Sequence, residues 1–226
     1  MKAIIFDASS LISLSMNGLL NEFRKLKKVF KGKFIITQEV KEEVIDKPIK
    51  IKRFALEALR VRQLVDEGVL EFPESLGIES KRIHDKTWEI IELSNGFFTG
   101  NKKPVKMIHL GEASCMALCK LLMEKKIDRV LCIDERTTRM LIEKPMNLKE
   151  LLQKKLHTRI ELKKEDFNYF KNFRVIRSAE LMYVAYKKGL TEIQDGADVL
   201  DALLYSLKFK GCAISSEEIE EIKRLK

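Results

Sequence analysis

Cysteine and histidine, the usual ligands of zinc, are few in this chain and show no metal-binding spacing. No two cysteines form a Cys-x-x-Cys pair, and the histidines lie far apart in the sequence. Zinc sites normally use closely spaced residues of these two types. We therefore expect no zinc site, and we expect the cysteines to be small residues of the core. The residues concerned are Cys115, Cys119, Cys132, Cys212, His84, His109 and His157.

Long apolar runs and the commonest catalytic signatures are also absent. No apolar run approaches the roughly 20 residues that span a bilayer. Asp7 interrupts the short apolar stretch near the N-terminus, which is unlike a signal peptide. The sequence has neither a glycine-rich phosphate-binding loop nor a Gly-x-Ser-x-Gly nucleophile elbow. We therefore expect a cytoplasmic protein with no membrane partner that belongs to neither of those enzyme classes.

Positive charge is in excess over negative charge. The 226 residues include 43 Lys and Arg against 34 Asp and Glu, which gives a net charge of +9. Such an excess favours a polyanionic partner, nucleic acid first, because cationic side chains attract phosphates. The alternative is the solvated, Lys- and Glu-rich surface of a heat-adapted protein.

One segment combines this positive charge with aromatic rings. Lys102, Lys103 and Lys106 closely follow Phe97 and Phe98. Such a segment can bind RNA by pairing lysines with the phosphate backbone and stacking the rings on bases. The competing interpretation is a solvated loop without a ligand. We name Lys102 and Lys103 as candidate substrate-binding residues.

Short apolar runs alternate with helical patterns along the chain. Residues 3–6 end at Asp7 and residues 130–133 end at Asp134, and both runs are typical of strands buried in a parallel sheet. Alternating strands and helices imply right-handed crossovers, so we predict an α/β fold. The further predictions are strands at 33–37, 69–72 and 173–177, a loop at 96–104, an insertion with one or two helices at 145–172, and tail helices at 195–209 and 216–225.

Four acidic residues occupy positions that a parallel α/β fold would bring together. Asp7 and Asp134 end their strands, at the edge of the sheet where ligands bind in open α/β folds. Glu112 lies in the first turn of a predicted helix. On another helix Glu39, Glu42 and Glu43 compete, and we choose Glu43 because it borders the apolar face while Glu42 lies further toward solvent. Taken singly, each acid has a structural explanation as a helix cap or a solvated charge.

Four converging carboxylates without a basic cluster would repel one another, and this repulsion raises their pKa values. A hard divalent cation that prefers oxygen ligands, Mg²⁺ or Mn²⁺, would neutralise them. Such a cation also orients and activates water for attack on a phosphodiester bond. The pattern therefore predicts a metal-dependent site for phosphodiester hydrolysis.

The sequence around these acids resembles the PIN domain family. The resemblance lies in four acidic motifs, which read in order FDASSLI, TQEVKEEVI, LGEASCMALC and VLCIDERTTRML. It covers most of residues 1–144 and resumes at about 173–190. It implies a five-stranded parallel sheet in the order 3-2-1-4-5 and a Mg²⁺- or Mn²⁺-dependent ribonuclease that cleaves single-stranded RNA. Residues 1–190 would form the nuclease domain and 191–226 a helical C-terminal extension.

The resemblance also implies roles for individual residues. Ser9 would be the small polar residue beside the first aspartate, where it binds a ligand or the turn. Arg139 corresponds to an arginine after the fourth motif, and it would contact phosphate or form a salt bridge on the flank of the sheet. Beyond RNA, the family allows an antitoxin-like protein or a second copy of the chain as partner. The implied metal-binding and catalytic residues are Asp7, Glu43, Glu112 and Asp134.

The chain departs from the family in two segments, and two alternative functions are considered. Residues 145–172 and 191–226 exceed the compact form of the family, and Asp195 in the tail would cap a helix or extend the site. The alternative function is a noncatalytic nucleic-acid-binding or scaffold protein with the same fold. A haloacid-type phosphotransferase also uses an aspartate at a strand end, but it needs a second aspartate where this chain has Ser9.

Overall fold

The predicted α/β class is confirmed. A computed structural model describes residues 1–163, 167–193 and 198–225. These residues form a parallel sheet of four strands, an antiparallel sheet of three strands and a set of helices. The candidate site depends mainly on the parallel sheet, whose strands end next to the helices that carry the acidic residues.

The elements alternate along the first part of the chain and are mostly helical in the tail. The strands are β1 (Lys2–Phe6), β2 (Lys33–Ile35), β3 (Phe98–Gly100), β4 (Lys103–Pro104), β5 (Asp128–Cys132), β6 (Ile160–Leu162) and β7 (Val175–Ile176). The α-helices are α1 (Ala8–Met16), α2 (Leu20–Val29), α3 (Gln38–Lys41), α4 (Ala55–Asp66), α5 (Ser80–Asn95), α6 (Leu110–Glu124), α7 (Arg136–Glu143), α8 (Pro145–Leu156), α9 (Ser178–Lys187), α10 (Val199–Phe209) and α11 (Ser216–Lys223). A π-helical turn (Glu42–Asp46) extends α3, and 3₁₀ turns occur at Pro48–Lys50, Pro73–Leu76 and Phe167–Phe170.

The parallel sheet has the strand order β2-β1-β5-β7. β1 pairs with β2 on one side and with β5 on the other, with Ile4 opposite both Phe34 and Val130. Because all pairs are parallel, the carboxyl ends of β1 and β5 meet at one edge. This edge carries Asp7, and the residues after β5 include Asp134.

The strand predicted over 69–72 is reduced to a single parallel bridge between Ile35 and Glu71. The Glu71 amide donates to Phe34 O at 2.8 Å, and the Ile36 amide donates to Glu71 O at 3.0 Å. Pro73 then starts a 3₁₀ turn, which ends the pairing after these two bonds. The described sheet therefore has four strands where five were expected.

Aromatic packing holds the central strand β1 in place. The rings of Phe6, Phe23 and Phe34 lie with centroids 4.9 to 5.0 Å apart, and all three are fully buried. Each such ring pair contributes about 0.5–1.5 kcal/mol beyond its burial. Since β1 is also hydrogen-bonded along both edges, the position of Asp7 at its end is fixed by the core.

The predicted loop over 96–104 is instead part of the antiparallel sheet β4-β3-β6. Its aromatic rings are buried: Phe97 is 0 % and Phe98 is 1 % exposed. The ring of Phe97 packs against Phe167 at 4.6 Å and Phe170 at 6.0 Å. The prediction that these two rings stack on RNA bases is therefore wrong, because residues of the insertion cover them.

The lysines of this hairpin remain at the surface. Lys102, Lys103 and Lys106 are exposed, and Asn101 and Lys102 form its tip with positive φ angles of 51° and 63°. A charged tip of this kind can attract phosphates without stacking on bases. The role of Lys102 and Lys103 in substrate binding stays a prediction.

The insertion and the tail share the core of the rest of the chain. The insertion at 145–172 contains α8, as predicted, and also the strand β6, which was not predicted. In the tail, α10 begins at Val199 within the described residues, and Asp195 lies outside them. None of the described helices is long and apolar enough to cross a membrane. Buried residues of these segments that belong to the common core are Leu148, Leu152, Ile160, Phe170, Leu204, Leu207, Ile219 and Ile222.

The burial of Phe97 predicts a structural role for this ring. Phe97→Ala should lower the free energy of unfolding by about 3–5 kcal/mol because it leaves a cavity between β3 and the insertion. Lys103→Ala, on the exposed strand of the same hairpin, should change it by less than about 0.5 kcal/mol. Urea denaturation of both variants is the measurement. A fully stable Phe97→Ala protein with weakened RNA binding would restore the stacking role.

Candidate functional site

Asp7 is a buried carboxylate held by the first turn of α1. Its side chain is 2 % exposed, and Oδ2 accepts hydrogen bonds from the Ser9 amide at 3.0 Å and from the Ser9 hydroxyl at 2.5 Å. The other oxygen, Oδ1, is buried and has no hydrogen-bond partner among the described residues. A buried polar atom without a partner is costly, which makes Oδ1 a candidate ligand atom.

Glu112 reaches the same region from the start of α6. Its Oε2 accepts a hydrogen bond from the backbone amide of His109, just before the helix, at 2.6 Å. The side chain is 9 % exposed. Glu112 therefore satisfies one of the free amides of the helix N-terminus and is held in a buried position.

Glu43 is brought to α6 by the absence of a side chain at Gly111. The Gly111 amide donates to Glu43 Oε1 at 3.3 Å. A Cβ atom on Gly111 would lie 2.7 Å from Glu43 Oε2, closer than atoms can pack. Glu42 is exposed whereas Glu39 and Glu43 are half-buried, as expected for Glu42, and the choice of Glu43 as a site residue stays a prediction. The π-helical turn that contains Glu43 was not predicted, and such turns are frequent at functional sites.

Burial and mutual repulsion raise the pKa values of two of these acids. The pKa of Asp7 rises to about 6, mainly because the side chain is buried, with a smaller effect of the Glu43 charge. The hydrogen bonds from Ser9 oppose this rise. The pKa of Glu112 rises to about 8, first through burial and then through the charges of Asp7 and Glu135. The expected repulsion therefore involves Asp7, Glu43 and Glu112.

The carboxylate of Asp134 is hydrogen-bonded to the start of α9. It is fully buried, and its oxygens accept hydrogen bonds from the Ser178 amide at 2.7 Å and the Ser178 hydroxyl at 2.6 Å. Its side chain thus caps the start of α9. Its backbone amide still adjoins the site, because it donates to Ser9 Oγ at 3.0 Å. The structure therefore joins Asp134 to the site through Ser9 and not through its carboxylate.

Glu135 is an acid of the site that sequence reasoning missed. It is half-buried, accepts a hydrogen bond from the Thr138 amide at 2.8 Å and caps α7. Its charge contributes to the raised pKa of Glu112. The sequence signal for Glu135 is its position next to Asp134 in the motif IDER. The resemblance assigns a role only to Asp134.

Arg139 lies in a salt-bridge network with the tail. Its guanidinium donates to Ala213 O at 2.7 Å and approaches Glu143 at 3.8 Å and Glu218 at 3.9 Å. Glu218 also pairs with Arg177 at 2.8 Å. Of the two roles considered for Arg139, the structure shows the salt bridge on the flank of the sheet. While these contacts hold, the guanidinium is not free to bind phosphate.

The donor atoms of the site suit a hard cation, although they do not form a complete ligand set. Among the described residues, no group of three or more His, Cys, Asp or Glu side chains is arranged to hold a metal ion. The unpartnered Oδ1 of Asp7 and the carboxylates of Glu43 and Glu112 are nevertheless the oxygen ligands that Mg²⁺ or Mn²⁺ prefers. These three residues fit the chemistry of such a cation.

Comparisons of the chain with protein-family models, curated proteins and solved structures give no match. The function must therefore be inferred from the geometry of the site together with the sequence motifs. The fold alone does not decide it, because α/β sheets of this kind carry many unrelated activities.

The raised pKa values predict a loss of stability with increasing pH in the absence of metal. The ordinary pKa values of Asp7 and Glu112 are 3.8 and 4.5, and the folded chain holds them at about 6 and about 8. Between these limits the folded state binds more protons than the unfolded state, so the free energy of unfolding falls as the pH rises. A tenfold change in an ionisation constant corresponds to about 1.4 kcal/mol.

Glu112→Gln should remove the part of this pH dependence above about pH 6, because the amide carries no charge and can still accept the His109 hydrogen bond. We expect it to raise the free energy of unfolding near pH 8 by roughly 2–4 kcal/mol. Thermal melts in EDTA across this range are the measurement, with Glu42→Gln as the exposed control. Identical pH profiles for wild type and Glu112→Gln would contradict the buried, repelling arrangement.

The Ser178 contact predicts different effects for two changes at Asp134. Asp134→Asn keeps an acceptor for the Ser178 amide and should cost less than about 1 kcal/mol. Asp134→Ala leaves that amide unsatisfied inside the protein and should cost about 1–3 kcal/mol. The measurement is urea denaturation of both variants. An equally small loss of unfolding free energy in the two would argue against a capping role for Asp134.

Proposed function

We propose that this chain is a PIN-like ribonuclease that hydrolyses single-stranded RNA with Mg²⁺ or Mn²⁺. The observation that carries the proposal is the gathering of Asp7, Glu43 and Glu112, with which no described basic side chain forms a salt bridge. Uncompensated buried acids destabilise a fold, and they cluster where a site needs them. The four sequence motifs, which resemble those of the PIN domain family, support the same assignment.

The proposed roles follow from what each residue already contacts. A Mg²⁺ or Mn²⁺ ion held by Asp7, Glu43 and Glu112 would supply the Lewis acid that phosphodiester hydrolysis needs. Ser9 occupies one oxygen of Asp7 and so fixes the direction of Oδ1. Glu112, with a pKa of about 8 in the metal-free chain, can hold a proton on Oε1 at neutral pH, since Oε2 accepts the His109 amide.

The charge of the chain supports RNA as the substrate. The net charge of +9 would attract a polyanion to a protein whose candidate site is itself acidic. An RNA phosphate would be repelled by the acidic site itself. A bound metal ion would remove this repulsion and let the phosphate approach the carboxylates. Lys102 and Lys103, exposed at the tip of their hairpin, are the proposed backbone contacts.

A second candidate is a nucleic-acid-binding protein without catalytic activity. The observation in its favour is the engagement of Asp134 with Ser178, which leaves the site short of the expected fourth carboxylate. Such a protein would bind RNA through its surface charge and would be insensitive to the removal of the remaining acids. The two candidates therefore differ in what Glu43 and Glu112 do.

Removal of either glutamate should abolish cleavage without unfolding the chain. We expect Glu43→Gln and Glu112→Gln to reduce Mn²⁺-dependent cleavage of a labelled single-stranded RNA on the order of 100-fold or more. Glu42→Gln, an exposed neighbour on the same helical turn, should cleave like wild type. Circular dichroism would check that all variants fold.

RNA binding, measured in EDTA by fluorescence anisotropy, separates the two candidates. The ribonuclease proposal expects both glutamine variants to bind RNA at least as well as wild type, since Glu43→Gln removes a negative charge and Glu112→Gln adds none. A wild-type protein that binds RNA but never cleaves it with Mg²⁺ or Mn²⁺ would support the noncatalytic candidate. A wild-type protein that neither binds nor cleaves RNA would overturn both.

A further inference from the structure

A cavity of about 590 Å³ lies at the opposite end of α1 from Asp7. It is bounded by the turn between α1 and α2, by the residues after α9 and by the first turns of α10. Its size is in the range of small-molecule sites. The described lining residues are Asn17, Gly18, Leu19, Glu22, Thr191, Glu192, Ile193, Asp198, Val199, Ala202, Leu203 and Ser206.

A buried carboxylate without a cationic partner lines this cavity. Glu22 is 4 % exposed, and its Oε1 accepts a hydrogen bond from the Glu192 amide at 3.0 Å. Its other oxygen, Oε2, is buried and has no hydrogen-bond partner among residues 1–163, 167–193 and 198–225, and the same holds for Oδ1 of Asn17. Both atoms are acceptors, so the group that would satisfy them must be a donor.

The charged groups on the described wall of the cavity are all negative. Glu22, Glu192 and Asp198 contribute carboxylates, and the described lining includes no Lys, Arg or His. The C-terminal end of α1 adds negative potential, whereas the N-terminal ends of α2 and α10, which also lie at this cavity, add positive potential. This composition is the reverse of the chain as a whole, whose net charge is +9.

The bases that lie near the cavity are engaged elsewhere. Arg24 pairs with Glu67 at 2.6 Å and donates to Asn21 Oδ1 at 3.2 Å. Lys210 donates to Met16 O at 3.4 Å. Neither residue lines the cavity. Within the part of the chain that the structure describes, no basic side chain pairs with the carboxylate of Glu22.

We propose that this cavity binds a small aliphatic diamine. One ammonium group pairs with Glu22 and donates to Asn17, which satisfies both buried acceptors. The second ammonium group lies toward Glu192 and Asp198, which are exposed at the cavity mouth. The methylene chain packs against Leu19 and Leu203. The site is separate from the candidate ribonuclease site and does not depend on that proposal.

Calorimetric titration with a matched series of five-carbon probes tests the chemistry. The probes are pentane-1,5-diamine, pentylamine, pentan-1-ol and pentanoate, which share a chain length and differ in charge. We expect saturable binding of the diamine, weaker binding of pentylamine, and none of the alcohol or the acid. No binding of the diamine, or equal binding of the alcohol, would overturn the proposal.

Three variants locate the binding. Glu22→Gln keeps the acceptor for the Glu192 amide and removes the charge, and it should weaken diamine binding by about tenfold or more. Ala202→Phe, at an exposed position on the cavity wall, should block binding by filling the space without a change of charge. Glu150→Gln, an exposed acid on α8, is the control and should bind like wild type.

The test remains valid if one of the variants fails to fold. Since Ala202 is exposed, Ala202→Phe tests the cavity even if Glu22→Gln proves unstable. Undiminished binding of the diamine to Ala202→Phe would show that the amine binds elsewhere on the acidic surface, and the proposal would fail. Equal losses in Glu22→Gln and Glu150→Gln would point to nonspecific attraction and would overturn it as well.

Discussion

Burial of the Asp7 carboxylate at the end of β1 is the constraint on which the candidate site depends. The apolar strand and the packing of Phe6 fix the backbone so that the next residue lies inside the protein. Ser9 satisfies one oxygen of Asp7, and no described residue forms a hydrogen bond with the other. Glu43 and Glu112 approach the same region, so every nearby charge raises the cost of ionising Asp7. A cation would remove this cost.

Ser9 connects this acidic group to the C-terminal part of the chain. Its hydroxyl donates to Asp7 and accepts from the amide of Asp134, whose side chain caps α9 through Ser178. The carbonyl of Asp134 accepts from the amide of Ala213 in the tail at 3.1 Å. The tail thus contacts the residue that adjoins the site, which explains why it shares the core rather than extending from it.

At each end of α1, buried carboxylates carry negative charge that no described basic side chain neutralises. At one end, Asp7 lies among carboxylates that oxygen-seeking metal ions would neutralise. At the other end, Glu22 faces a cavity with apolar walls, where an organic ammonium group fits better than a metal ion because the walls offer methylene contacts. Both regions contrast with the positive net charge of the chain.

The sequence by itself determined the α/β class, the central strand and the exposure of Glu42, because these follow from local apolar periodicity. It did not determine the partners of side chains that meet across long stretches of the chain. The pairing of β3 with β6 buries Phe97, and the start of α9 captures Asp134. Such contacts depend on how distant segments pack and on which way a side chain turns, and only the tertiary structure decides these.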